Sequence, residues 1–129
     1  KIVQNPIKNI LGNERRVILV KPLEYIELVH VLKLCFFVIT DSGGIQEEAP
    51  TFDKPVLITR QKTERTEGIE VGTSKLVGTN KKEIFDAANQ LLTDNELYKK
   101  MSSAVNPFGD GNSSNKILKE CLNYLNLDY

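Results

Sequence analysis

Apolar residues along this chain switch repeatedly between two spacings. The run RRVILV, 15–20, is short, apolar and rich in β-branched residues, which predicts a buried strand. PLEYIELVHVLK, 22–33, follows with Leu23, Ile26, Val29 and Leu32 at helical spacing, and Pro22 suits a helix start. FFVIT, 36–40, predicts a second buried strand. GGIQEEAPTF then reads as a short helix whose length Pro50 limits. KPVLITR, 54–60, and the shorter SKLVGT, 74–79, predict two more strands.

The rest of the pattern is helical. Asn80 and Glu83 have the spacing of a capping box, ahead of a face made by Ile84, Ala87, Ala88, Leu91 and Leu92. Thr93 with Glu96 predicts a further helix start, turning Leu97 and Met101 inward. NPFGDGNSS, 106–114, reads as a loop. A last helix places Ile117, Leu118, Cys121, Leu122 and Leu125 on one side. No repeat, low-complexity tract or dividing linker interrupts the chain, so one domain over 1–129 is expected.

Strands alternating with helices predict an α/β fold: a parallel sheet with helices on both faces. Ligands of such sheets bind beyond the carboxyl ends of the strands, which is where TDSGG, 40–44, falls. The opening KIVQNPIKNILGNE looks like a helix without its preceding strand, and the first residue is Lys1. A piece of a longer protein is therefore expected.

Composition narrows the choice of ligand. Seventeen basic residues balance 17 acidic ones, which gives no electrostatic footprint for nucleic acid or for an anionic membrane surface. Any anion must be caught by local geometry. No apolar run reaches the ~18–20 residues of a membrane span, and no signal peptide is visible. Cys35 and Cys121 lie in apolar segments without metal-ligand spacing, which predicts two buried thiols in a reducing cytoplasm.

Three segments carry candidate chemistry. In TDSGGIQEEAP, 40–50, Ser42 is placed to cap a helix that begins at Gly43 and Gly44. A helix start offers unpaired N–H groups and partial positive charge, and glycines let an anion approach the backbone. Glu47 or Glu48, one turn further on, would accept hydrogen bonds from the hydroxyls of an attached ribose. The order thus suggests diphosphate first and sugar second. The plainer account makes Ser42 a cap, the glycines a turn and the acids partners of the helix dipole.

RQKTERTEG, 60–68, follows the third predicted strand at the same end of the sheet. It is either a solvated, charge-balanced loop or a place where Arg65 binds phosphate oxygens bidentately, oriented by Glu64 or Glu67. In NPFGDG, 106–111, Asp110 is a candidate helix cap, as is Asn112 just beyond it. His30, mid-helix, reads as a half-buried packing residue. There is no Walker A sequence, zinc spacing or Ser/His/Asp array.

VITDSGGIQEEAPTFDKPVLITRQKTERTEGIEVGT, with KLVGT and NPFGDG after it, resembles the C-terminal part of non-hydrolysing UDP-N-acetylglucosamine 2-epimerases over residues 5 to 120. The resemblance implies a three-layer α/β/α Rossmann-like domain, the C-terminal half of a two-domain GT-B fold. It implies interconversion of UDP-N-acetylglucosamine and UDP-N-acetylmannosamine without a redox cofactor or metal: the C2 proton is removed, UDP is expelled, and UDP adds back after reprotonation on the other face. Ser42, Gly43 and Gly44 match the diphosphate-contacting turn, Glu48 the ribose-binding glutamate, and Arg65 the arginine that approaches the diphosphate and stabilises the leaving group. The implied partners are UDP-N-acetylglucosamine or UDP, an N-terminal domain of the same chain, and a second copy in a homodimer of the full-length enzyme.

Two positions depart from the family pattern. Leu28 stands where an aromatic residue commonly faces uracil, and Thr66 replaces a proline, which predicts a less rigid loop. The family's catalytic acids and histidine belong to segments upstream of Lys1, so this chain alone is expected to be inactive. The alternatives are a GT-B glycosyltransferase, a hydrolysing epimerase, or a non-catalytic UDP-sugar-binding module.

Overall fold

A computed structural model describes residues 3–127, which divide between two compact units, Lys1–Val31 and Leu32–Tyr129. The first unit contains helix α1 (Gln4–Leu11) and most of helix α2 (Tyr25–Leu34). Glu24 precedes α2, and its N–H donates to the Glu27 carboxylate at 3.0 Å. This acid, rather than Pro22, marks the helix start.

The apolar run 15–20 forms no strand. Its side chains are exposed, Ile18 at 86%. An apolar run becomes a buried strand only when neighbouring strands take up its N–H and C=O groups, and all three strands among the described residues pair elsewhere.

The second unit is built on those strands: β1 (Val38–Thr40), β2 (Val56–Ile58) and β3 (Ser74–Leu76), in the order β1-β2-β3 and parallel throughout. Val38 pairs with Val56 and Val56 with Ser74, while Thr40 pairs with Ile58 and Ile58 with Leu76. The connection from β1 to β2 runs through α3 (Gly43–Glu48) and a 3-10 helix (Ala49–Phe52), and that from β2 to β3 through α4 (Thr66–Val71). Pro50 falls where α3 gives way to the 3-10 turn, as expected of a residue with no N–H to donate.

β2 is buried at all three positions, so both faces of the sheet are covered there. Leu57 joins Val77, Ala87, Leu91 and Met101 in the main core. Its neighbours Val56 and Ile58, pointing the opposite way, are equally buried. The α/β reading of the sequence therefore holds, with three strands in place of four.

Helices α5 (Lys81–Thr93), α6 (Asn95–Ser102) and α7 (Ser113–Leu125) complete the unit. Asn80 caps α5, accepting from the N–H groups of Lys82 and Glu83. The cap of α6 is Asp94, which accepts from Glu96 and Leu97, whereas Thr93 ends α5 and bonds back to the Asn89 carbonyl. Leu92 is 64% exposed, so the inward face of α5 is narrower than its apolar pattern. None of the expected apolar face of α7 is buried. Among the described residues no helix is long and apolar enough to cross a membrane.

Candidate functional site

The site begins where β1 ends. After Thr40 the chain passes through Asp41 and Ser42 into α3. Ser42 holds the extended conformation of an N-cap residue (φ −78, ψ 128), yet its hydroxyl makes no cap hydrogen bond. Its own N–H is taken by the Thr40 hydroxyl at 3.0 Å. The first amides of α3 are consequently left without a side-chain cap, as an anion site at a helix mouth requires.

Arg65 lies directly against that mouth. A Cβ added at Gly43 would stand 3.0 Å from Cζ of Arg65 and 3.2 and 3.3 Å from its two terminal nitrogens. Glycine is thus what lets the guanidinium rest on the backbone. A Cβ at Gly44 would meet Oε1 of Glu48 at 3.8 Å. Ser42, Gly43, Gly44, Glu48 and Arg65 are therefore gathered within one region, although 17 positions or more separate Arg65 from the others.

The two glutamates of α3 have different tasks. Oε1 of Glu47 accepts from Nε of Arg65 at 2.7 Å. This bond and the charge behind it raise the arginine's pKa further, with smaller contributions from Glu64 and Glu67. The Glu64 carboxylate is 3.6 Å from Nη1 of Arg65 and 3.4 Å from Nη1 of Arg60. The expected orienting residues, Glu64 and Glu67, thus come second to Glu47. Glu48 is not drawn into the pair: its Oε2 is buried with no hydrogen-bond partner. That oxygen is left without a donor in the folded chain and, being buried, meets a ligand hydroxyl only if the side chain turns.

A buried pair underlies this arrangement. Gln46 is fully buried, and its Oε1 accepts from the Thr63 hydroxyl at 2.7 Å. The same hydroxyl accepts from the backbone N–H of Arg65 at 3.2 Å. Neither residue stood out in the sequence. The available signal was a polar side chain on the inward side of a very short helix.

The NPFGDG segment borders the same region. Asn106 donates to the Thr51 hydroxyl at 3.0 Å and accepts from the N–H of Phe108. Phe108 packs against Gly68 of α4, where a Cβ would come within 3.3 Å of its ring. The segment and α3 together line a groove of about 680 Å³ that includes Glu47, Glu48, Thr51 and Asp110. Asp110 organises the turn: Oδ1 accepts from the N–H of Asn112 and Oδ2 from the Lys116 ammonium, both at 3.0 Å. These bonds hold its pKa down at about 2. Asn112 occupies the N-cap position of α7 without a side-chain cap hydrogen bond, its Nδ2 donating instead to the Asp110 carbonyl at 3.5 Å.

Leu28 lies in α2, and Thr66 is the first residue of α4, a position that proline also fits. His30 is exposed, with Nδ1 2.7 Å from the Ile26 carbonyl, rather than half-buried. Cys35 is partly buried and Cys121 exposed, so the expected pair of buried thiols is not found. Among the described residues no group of three or more His, Cys, Asp or Glu is disposed to hold a metal ion.

Comparison with known proteins gives one consistent answer. The sequence model of the family described as UDP-N-acetylglucosamine 2-epimerase matches residues 2–121. The Bacillus subtilis UDP-N-acetylglucosamine 2-epimerase is 49% identical over 121 residues, 94% of this chain and 32% of the relative. The Escherichia coli K12 enzyme of the same name is 46% identical over the same coverage. Among solved structures, S. aureus MnaA with UDP superimposes with a TM-score of 0.93 at 47% identity, over 98% of this chain and 35% of that one. The Neisseria meningitidis UDP-GlcNAc 2-epimerase bound to UDP-GlcNAc gives 0.86 at 41% identity, over 95% and 33%. The chain spans about a third of the length of the curated relatives it matches. On this match of sequence and fold, the chain belongs to the UDP-N-acetylglucosamine 2-epimerase family.

Proposed function

We propose that residues 1–129 are the UDP-binding, C-terminal Rossmann-like domain of a cytoplasmic two-domain enzyme of GT-B type. That enzyme interconverts UDP-N-acetylglucosamine and UDP-N-acetylmannosamine without hydrolysis, for cell-envelope polysaccharide synthesis, and works as a homodimer. Ser42, Gly43 and Gly44 bind the diphosphate, the two glycines through their amides, while Glu48 accepts from the ribose hydroxyls and Arg65 faces the diphosphate. The observation carrying this reading is the contact of the Arg65 guanidinium with Gly43 at the helix mouth. A cation anchored by Glu47 thus stands beside amides that no side chain caps.

The chemistry follows from that point. Expelling UDP builds negative charge on the diphosphate oxygens. Donors already aimed there stabilise the departing group without reorganising, and they hold UDP in place for its return. No step assigned to this chain uses a metal or redox cofactor. Proton transfer at C2 falls to the other domain, so residues 1–129 alone do not turn over.

Titration of the full-length enzyme with UDP, together with product analysis, tests the reading. UDP binding that is lost on Arg65→Ala, and UDP-N-acetylmannosamine as product, are expected. Free N-acetylmannosamine with UDP would make the enzyme a hydrolase, and turnover by residues 1–129 alone would contradict the division of labour.

A further inference from the structure

The fully buried Gln46 is unusual on a helix this short. An amide placed where a leucine or methionine would pack must make a hydrogen bond that justifies its burial. Its Oε1 makes one, to the Thr63 hydroxyl at 2.7 Å, while its Nε2 is buried without a partner in the folded chain. In that bond the Thr63 hydroxyl donates to the Gln46 side-chain carbonyl, and the same oxygen accepts from the backbone N–H of Arg65.

The next residue on α3, Glu47, takes Nε of the same arginine at 2.7 Å. Adjacent residues of one helix thus hold Arg65 at two places, Gln46 through the main chain and Glu47 through the guanidinium. The outcome is the approach of that guanidinium to Gly43.

We infer that Gln46 is a positioning residue for Arg65, acting through the Thr63 hydroxyl to set where the guanidinium stands at the mouth of α3. The inference rests on the UDP-binding role given above to Arg65. Gln46 touches no ligand in this scheme. Its effect passes through the arginine, and that separates it from a residue that merely fills the core.

The test is a set of double-mutant cycles in the full-length enzyme, reading UDP affinity by calorimetry and kcat and KM on UDP-N-acetylglucosamine. Gln46→Met keeps the volume and removes the acceptor, and Thr63→Val keeps the shape and removes the hydroxyl. Each is expected to weaken UDP binding by about tenfold alone, and by less than about twofold when added to Arg65→Ala. A purely structural residue gives the same loss in both backgrounds, and that result overturns the inference, as does unchanged affinity in the single variants. Thermal melts check folding, and Thr63→Val decides the question if Gln46→Met does not fold. If Arg65→Ala itself leaves UDP affinity unchanged, the assignment of Arg65 falls and takes this inference with it. If Arg65→Ala weakens binding while the Gln46 effect is additive, only the inference falls.

Discussion

Nε of Arg65 lies 2.7 Å from Oε1 of Glu47, an ion pair that joins α3 to the segment after β2 across 18 positions of sequence. Both side chains remain more than a third exposed, so solvent screens the pair and it adds little to stability. Its value lies in orientation. Glu47→Ala is expected to change stability by less than about 1 kcal/mol while weakening UDP binding, because the guanidinium loses its anchor. A thermal melt and a UDP titration separate the two effects. Tighter binding would show instead that Glu47 competes with phosphate for the arginine.

Gly43→Ala places a methyl group 3.0 Å from Cζ of Arg65. The obstacle is the far end of a flexible side chain, so the arginine moves and the fold survives. Stability should shift by no more than about 1 kcal/mol, alanine being the better helix former. UDP affinity should drop, and Gly43→Ala should cost little more once Arg65 is already alanine. Full affinity in Gly43→Ala would place the diphosphate elsewhere.

Glu48→Ala removes a carboxylate whose Oε2 is buried and unpaired in the folded chain. Loss of a charged acceptor for the ribose hydroxyls is expected to cost about 1.5–3 kcal/mol of UDP binding. Calorimetry on the full-length enzyme measures it. The complementary check uses 2′-deoxy-UDP, which should lose much of its disadvantage against UDP in the variant.

Asp110 supplies a pH signature. Its folded pKa of about 2 lies below the ordinary 3.8, chiefly through the Asn112 N–H and then through Lys116. A depressed carboxylate stabilises the fold fully above the ordinary value, and that contribution is lost as pH falls from 3.8 through about 2. The start of α7 should therefore loosen in that window, seen as faster amide exchange at its first turn. In Asp110→Asn the amide still accepts from Asn112 but no longer pairs with Lys116, and this part of the acid response should disappear. A carboxyl NMR titration returning an ordinary value for Asp110 would contradict the assignment.

The site was legible in the sequence wherever its chemistry is local. A glycine pair after a buried strand suggests a helix start, and TDSGG does open α3 at Gly43. Asn80 was legible for the same reason, since a cap and the amides it satisfies lie within three residues of each other. The choice between Glu47 and Glu48 was not legible from the turn itself. They are neighbours of like charge, and only the position of Arg65 gives the first a partner and leaves the second free. Gln46 was missed because its partner, Thr63, lies 17 positions away.

Local pattern alone determined β1, β2, β3, α3 and α5 between Phe36 and Thr93, because periodicity and caps act over a few residues and their partners lie within the second unit, but it missed α4, whose start lies in the charged segment 60–68 that read as a loop. It failed at 15–20, where the apolar content of a strand is present without a ladder to receive it. Tertiary structure decided what the sequence left open: which acid orients Arg65, which face of α5 is buried, and that Arg65 stands beside Gly43 at the mouth of α3. The physical reason is range. Propensity and capping are settled within a turn of backbone, whereas an ion pair or a buried hydrogen bond exists only once distant segments have been brought together.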